Sequence, residues 1–156
     1  MKNSKKNYLK YSIPRLVLSC IAVLAVMQVY AQESLSVIAN QEGAPTELSF
    51  KELKSVFLGE KQRWDTGNKV MIALMKTNTK LGLTVCNKVY GMKPDQMNKY
   101  WLALVFQGRV SAPYYFNSPT DLQNFVAQNP GAVGILDERV ENSDIKTVSV
   151  DGKKSI

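Results

Sequence analysis

The feature that most constrains the fold is an unbroken apolar run, VMIALM (Val70–Met75), which ends abruptly in the polar stretch Lys76–Lys80. The run shows no alternation of apolar and polar residues, so a strand formed by it must be covered on both faces. Such strands are typical of mostly parallel sheets that lie between layers of helices. The run therefore predicts a central strand of an α/β domain.

Helix start and stop signals stand on both sides of this strand. Ser49, with Glu52 three residues later, forms a capping box, and Gly59 occupies the position that favours a left-handed helix end. The stripe of this helix predicted to be buried comprises Phe50, Leu53, Val56 and Phe57. Three further helices are predicted over 79–90, 94–107 and 119–128, the last two beginning with a proline. In the second of them, Met97, Tyr100, Trp101, Leu104 and Val105 form the apolar face.

Further strands are predicted over 35–40, 132–136 and 145–150, and the stretch 109–117 is predicted to be a loop. Strands and helices therefore interleave along the chain, without an internal repeat. The natural outcome is a single three-layer α/β domain, with a mixed, mostly parallel sheet flanked by helices.

The first 31 residues are predicted to be a secretory signal, which leaves 32–156 as one domain. Five basic residues precede the apolar stretch Leu16–Met27, and Val29-Tyr30-Ala31 resembles a cleavage site. The apolar stretch is short for a membrane span, which needs about 20 residues. We therefore expect an exported, periplasmic protein. An uncleaved membrane anchor remains an alternative, as does a lipoprotein through Cys20.

Composition removes several classes of function. The predicted signal holds five of the 20 basic residues and none of the 13 acidic ones, so the remainder carries 15 against 13, a net charge of +2. Without a basic surface, a nucleic-acid partner is not expected. The absence of histidine excludes serine and cysteine nucleophile systems that use it, and the common zinc sites. We predict no catalytic residue, no metal and no cofactor, and we expect Cys86 to be a small buried apolar residue.

The polar stretch after the central strand has two interpretations. A helix N-terminus exposes free amides at the positive end of its dipole, and Lys76 and Lys80 add charge, so the junction favours an anion. The candidate anion-binding residues are Thr77, Asn78, Thr79 and Lys80. Alternatively, Thr77 or Asn78 simply caps the helix that follows.

Three segments of the sequence together resemble a known family. They are LSFKELKSVFLGEKQRWDTGNKV (48–70), YWLALVFQGRVSAP (100–113) and NPGAVGILD (129–137). In this order they resemble the phosphate-type substrate-binding proteins of ABC importers, in the type II periplasmic binding-protein superfamily. The resemblance extends from about Val37 to Val150. Its most specific elements are the helix end at Phe57–Gly59, then Trp64 and Gly67, and finally Pro130–Gly134.

The resemblance implies a lobe fold and a phosphate-holding turn. Members of the family grip their ligand between two lobes, and this chain resembles only the central one, with no room expected for the other. The family's Gly-Ser-Gly-Thr-Arg-like turn corresponds to Lys76–Lys80. Thr77 and Thr79 keep its hydroxyls and Lys80 keeps a cation, whereas both glycines are lost. A lysine cannot supply the bidentate contact of arginine.

Two functions follow as expectations. The first is an exported solute-binding-like protein for phosphate or a similar oxyanion, in which a homodimer or a protein partner could complete the cleft. The second is a periplasmic interaction module that keeps the lobe fold but has lost its ligand. Its candidate partner surface is the aromatic segment Ala112–Phe116.

Overall fold

The computed structural model describes residues 34–138, 140 and 142–156. The predicted signal over 1–31 lies outside these residues. The strands are β1 (Ser36–Asn40), β2 (Glu47–Leu48), β3 (Met71–Met75), β4 (Tyr114–Phe116), β5 (Ala132–Leu136) and β6 (Ile145–Val150). The helices are α1 (Phe50–Phe57), α2 (Lys80–Val85), α3 (Pro94–Phe106) and α4 (Pro119–Gln128), and a π-helical turn, Cys86–Tyr90, continues α2. Within the described ranges, no helix is long and apolar enough to cross a membrane.

The six strands form one sheet in the order β2-β6-β1-β5-β3-β4. Strand β1 is antiparallel to both of its neighbours, β5 and β6. The other three pairs, β2 with β6, β3 with β5 and β3 with β4, are parallel. Four of the five residues of β3 are buried. The prediction of a mixed, mostly parallel sheet with a central covered strand is therefore confirmed.

The prediction of a loop over 109–117 is wrong near its end, because Tyr114–Phe116 form the edge strand β4. This strand pairs with β3, with Leu74 opposite Tyr115. A three-residue strand directly after Pro113 is too short to leave a periodic pattern in the sequence. The rings of Tyr114 and Phe116 lie 4.4 and 5.3 Å from the ring of Phe125 in α4. The aromatic segment is therefore held against the domain.

Helix α1 begins at the predicted capping box. The Ser49 hydroxyl accepts a hydrogen bond from the Glu52 amide (3.2 Å), and the Ser49 amide donates to the Glu52 carboxylate (2.8 Å). Asp151, after β6, accepts from the Phe50 amide (3.2 Å). Leu53, Val56 and Phe57 are buried as predicted. Phe50 is 37% exposed, so its assignment to the buried stripe is wrong; it occupies the first helical position, a turn before the residues that reach the core.

Helix α3 contacts the core through a narrower stripe than predicted. Met97 and Trp101 are buried, as expected, but Val105 is 38% exposed. Leu102 and Phe106 are 57% and 82% exposed. The prediction that Val105 belongs to the buried face is therefore wrong. Val105 follows Trp101 by one turn on the same face, but it lies in the last turn of the helix, where the core no longer covers it. The prediction that Cys86 is buried is confirmed.

The loop before β3 and the residue just before β5 are joined by a buried hydrogen bond. Trp64 donates from its indole nitrogen to the carbonyl oxygen of Gly131 (2.8 Å). The Gly131 amide donates to the backbone carbonyl oxygen of Glu42 (3.0 Å), which lies in the loop after β1. Gly131 has a φ of +84°, and a Cβ there would lie 2.5 Å from the carbonyl oxygen of Lys69. Only glycine fits this position without displacing backbone.

A buried asparagine fixes the far end of α4. Asn40 is 5% exposed, and its side-chain nitrogen donates to the carbonyl oxygens of Val126 (2.9 Å) and Ala127 (2.8 Å). Its side-chain oxygen accepts from the Glu42 amide (2.8 Å). Carbonyl groups in the last turn of a helix have no partner within it, so Asn40 stabilises the end of α4 from β1.

Replacing Ser49 by alanine should lower the free energy of unfolding by about 1 kcal/mol, because the cap of α1 is lost.

Hydrogen bonds from Ser49 hold the pKa of Glu52 below the usual glutamate value of 4.5. A lowered folded-state pKa stabilises the protein above the unfolded value, and this stability disappears as pH falls through the folded value. The effect of Ser49→Ala should therefore be full at pH 7 and shrink well below pH 4.5. Urea unfolding at both pH values measures it, with Ser55→Ala in the same helix as the control. Equal losses from the two variants would contradict the capping role.

Candidate functional site

The chain leaves the carboxyl end of β3 at Lys76 and enters α2 through a three-residue turn. The Lys76 amide donates to the carbonyl oxygen of Phe116 (2.9 Å), so β4 holds the start of the turn. The Thr79 amide donates back to the carbonyl oxygen of Lys76 (3.0 Å), which closes the turn. The predicted anion-binding stretch is thus an ordered turn anchored to the sheet edge.

Thr79 is the cap of α2. Its hydroxyl oxygen accepts from the Gly82 amide (3.0 Å), and its hydroxyl hydrogen is donated to the carbonyl oxygen of Lys76 (2.8 Å). The prediction that Thr77 or Asn78 caps the helix is therefore wrong. The backbone of Thr79 is extended (φ −91°, ψ 156°), the conformation of a residue just before the first helical turn. Because its hydroxyl already donates to Lys76, Thr79 has no hydroxyl hydrogen left for an anion.

Gly82 lets the first turn of α2 lie directly against this turn. A Cβ at Gly82 would overlap the carbonyl oxygen of Lys76 and lie 3.0 Å from the Thr79 hydroxyl oxygen. The family-like glycines within the turn are absent, yet one glycine is required three residues after the cap. Its role is close packing of backbone.

A pocket opens to solvent beside the turn, and we call it the junction pocket. Its volume is about 400 Å³. The lining residues come from three parts of the fold: Lys76, Thr77 and Asn78 from the turn, Asn98 from α3, and Tyr115 from β4. The Asn98 side-chain nitrogen lies 3.5 Å from the Thr77 hydroxyl oxygen, as a long donor to it. This contact leaves the Thr77 hydroxyl hydrogen directed elsewhere.

The lining of the junction pocket favours an anion. Lys76 is its single charged side chain, and no carboxylate is among the lining residues. Burial, with a smaller contribution from the Cys86 thiol, raises the pKa of Tyr115 to about 12. A tyrosine phenol is already neutral at physiological pH, and the raised pKa keeps Tyr115 in the form that can donate a hydrogen bond. Hydroxyl and amide donors next to one cation are the groups that bind oxyanions.

The structure divides the four predicted site residues. Thr77 and Asn78 line the junction pocket, whereas Thr79 caps α2 and Lys80, the first residue of that helix, lies outside the lining. The sequence interpretation missed Asn98 and Tyr115 as lining residues. Asn98 lies among exposed residues of α3 and carries no sequence signal. Tyr115 reaches the pocket because β4 pairs with β3, and that pairing could not be seen in a segment predicted to be a loop.

The described residues offer no alternative centre based on a metal. Within them, no group of three or more histidine, cysteine, aspartate or glutamate side chains is placed to hold a metal ion. The free thiol of Cys86 is buried beside the sulfur of Met97 (3.4 Å). Burial raises the pKa of this thiol, which disfavours the reactive thiolate. Among the described residues, a metal cluster and a reactive thiol therefore do not provide a candidate site.

Comparison of the sequence finds no matching family model and no matching curated protein. Solved structures do match the fold. One is a protein of Clostridium perfringens assigned as a phosphate ABC transporter substrate-binding protein and solved with bound phosphate. The match has a TM-score of 0.59 and 12% sequence identity, and it covers 78% of this chain and 46% of that protein. Another is PstS from Borrelia burgdorferi. That match has a TM-score of 0.55 and 12% sequence identity, and it covers 77% of this chain and 48% of that protein.

The chain spans a little under half the length of these two proteins. At 12% identity, the likeness concerns the fold alone. The described residues therefore have the α/β fold of one lobe of the phosphate-type substrate-binding proteins, as the resemblance in sequence implied.

Proposed function

We propose that this chain is a non-enzymatic, substrate-binding-protein-like lobe that holds phosphate or a similar small oxyanion in the junction pocket. The observation that carries the proposal is the pocket itself. The turn predicted from the sequence to hold an anion lines a pocket with one cation and no carboxylate. The bound phosphate of the Clostridium protein, which shares the fold, supports the same class of ligand.

The geometry indicates a weak site. Lys76 and Asn78 are exposed, and the pocket is open on one side, so a bound ion would keep part of its hydration and be screened by salt. Thr77 and Tyr115 contribute neutral donors, each worth a modest net energy beside water. We expect a dissociation constant on the order of 1 mM, equivalent to about 4 kcal/mol. A protein partner or a second copy that covered the pocket would strengthen binding.

We also propose that the protein is exported to the periplasm after removal of residues 1–31. The support is the basic leader, the short apolar stretch Leu16–Met27 and Ala31 at the cleavage position. Sequencing the amino terminus of the protein from a periplasmic fraction should find a start near Gln32. A start at Met1 in the membrane fraction would favour a retained anchor.

Replacing Lys76 by alanine should weaken phosphate binding about two- to fivefold, since the side chain is an exposed charge. The difference should shrink as salt is added, because the contribution of the charge is screened. Calorimetric titration with phosphate and with sulfate at low and high salt measures this. Lys51→Ala, an exposed lysine of α1 far from the turn in sequence, is the matched control and should bind like the unmodified protein.

If millimolar phosphate and sulfate produce neither heat nor a shift in melting temperature, the oxyanion proposal fails. The interaction module would then be the better interpretation. Its supporting observation lies on α3, where Leu102 and Phe106 are 57% and 82% exposed. The Ala112–Phe116 segment suits that role less well than expected, because Phe116 packs against Phe125.

The two threonines of the turn should respond differently to alanine. Thr79→Ala removes the cap of α2 and should lower the free energy of unfolding by about 1 kcal/mol. Thr77→Ala removes a pocket hydroxyl and should change stability by less than about 0.5 kcal/mol while weakening phosphate binding. Thermal unfolding and calorimetry on both variants separate these effects. A larger loss of affinity from Thr79→Ala than from Thr77→Ala would contradict the observed division of roles.

A further inference from the structure

The carboxyl-terminal end of α3 carries an apolar surface that no described element covers. Leu102, Val105 and Phe106 are exposed, and Leu102 and Phe106 are the two most exposed large apolar side chains among the described residues. Positions three and four apart are neighbours on a helix, so the three side chains form one surface, which we call the α3 patch. Clustered apolar exposure of this kind marks an interaction site more often than single exposed side chains do.

The α3 patch and the junction pocket lie at opposite ends of α3. In the amino-terminal half of the helix, Asn98 lies 3.5 Å from Thr77, which follows β3. Beyond the carboxyl-terminal end, Ser111 lies 2.9 Å from the side-chain nitrogen of Lys69, which precedes β3. The helix therefore runs from the carboxyl end of β3 towards its amino end. Docking through the α3 patch would leave the junction pocket accessible.

Positive charge is concentrated in the segments around the α3 patch. Lys99 lies one turn before the patch and Arg109 follows the helix end, and they are the only charged residues within 96–120. The side chain of Gln62 donates to the Arg109 carbonyl oxygen (2.9 Å), which attaches the loop 59–69 to this end of the helix. Together, 59–69 and 96–120 hold five basic and two acidic residues, a net charge of +3. The rest of 32–156 holds ten basic and eleven acidic residues, a net charge of −1.

The two acidic residues of the loop do not cancel this charge at the patch. Asp65 is paired with Lys61 (2.9 Å). Glu60 lines a hollow together with Leu104 and Arg109. Leu104 and Phe106 are two positions apart, so they point to different sides of the helix. The carboxylate of Glu60 therefore lies on the Leu104 side, away from the most exposed side chain of the patch.

The size of the α3 patch fits a lipid surface better than a folded protein. A phenylalanine presents about 150–250 Å² when fully exposed, and Phe106 is 82% exposed. Leu102 and Val105 are smaller and less exposed, so the patch presents on the order of 400 Å² at most. A stable protein interface needs about 800 Å² from each partner. A lipid surface needs only apolar side chains that enter the boundary of the acyl chains and cations that reach the head groups.

We propose that the α3 patch docks the protein on an anionic lipid surface. The apolar side chains of the patch enter the boundary between head groups and acyl chains, and Lys99 and Arg109 lie beside the phosphates of the head groups. Charge complementarity selects anionic over zwitterionic lipid. The proposal goes beyond the oxyanion function and is independent of it, because the two surfaces lie at opposite ends of α3.

A tryptophan probe at the patch tests the proposal. In Phe106→Trp, we expect vesicles of phosphatidylcholine and phosphatidylglycerol in equal parts to shift the emission of the introduced indole to shorter wavelength. Lipids brominated on their acyl chains should quench it. Trp64 and Trp101 are buried, so their emission should stay nearly constant. Phe50→Trp, which places the same probe at the start of α1, is the matched control and should not respond.

The probe reports its own surroundings, so it separates docking through the patch from binding through another part of the chain. Unchanged emission of Phe106→Trp with anionic vesicles would overturn the proposal. An equal response to vesicles of phosphatidylcholine alone would overturn the selection of anionic lipid. If light scattering instead finds a dimer that Phe106→Ser dissociates, and vesicles leave the emission unchanged, the patch is an interface between two copies.

Variants assign the contributions of apolar surface and charge. Phe106→Ser should reduce vesicle binding about tenfold in co-sedimentation, because it removes most of the apolar area. Lys99→Gln and Arg109→Gln should each reduce it about fivefold at low salt and less at high salt. Phe50→Ser should leave binding unchanged, and melting curves confirm that each variant is folded. Vesicle binding that is insensitive to Phe106→Ser and to both charge variants would refute docking through the α3 patch.

Discussion

The buried hydrogen bond from the Trp64 indole to the Gly131 carbonyl holds together the segments that enter β3 and β5. It joins the loop before β3 to the start of β5, and the adjacent Gly131 amide adds the loop after β1. Directly beyond it, Met71 pairs with Ala132, so the contact sets the register of the two strands. A shift by one residue would turn every side chain of a strand to its other face. The turn after β3 therefore follows a strand whose register is held at the opposite end of the sheet.

This arrangement explains why the sequence resemblance is informative about the fold and much less so about the ligand. Trp64 and the Pro130–Gly134 segment, which carry the resemblance, lie at the amino ends of the strands and serve packing. The carboxyl ends can then vary without loss of the scaffold. In this chain the turn has no glycine to bring backbone amides close to an anion, and side chains line the pocket there in their place.

The division of labour within the turn follows from hydrogen-bond capacity. A threonine hydroxyl has a single hydrogen, and that of Thr79 is used on the Lys76 carbonyl. Thr77, two residues earlier, does not donate its hydroxyl hydrogen to the Lys76 carbonyl, and it lines the pocket. Chemically identical residues in a short turn thus serve different purposes, one holding the helix and the other available to a ligand. The single cation, Lys76, and the neutral phenol of Tyr115 complete the lining of the pocket that we propose for a small oxyanion.

Four features could be predicted from local sequence: the covered central strand, the capping box of Ser49 and Glu52, the proline-initiated helices and the mostly parallel α/β class. These features depend on residues close together in the chain, and short-range periodicity and cap chemistry report them directly. Three features became visible in the folded structure: Thr79 caps α2, Tyr115 lies on an edge strand, and Asn98 shares a pocket with Lys76. The pocket requires β4 to pair with β3 and α3 to pack beside the turn. Such contacts join residues distant along the chain, and local preferences carry no record of them.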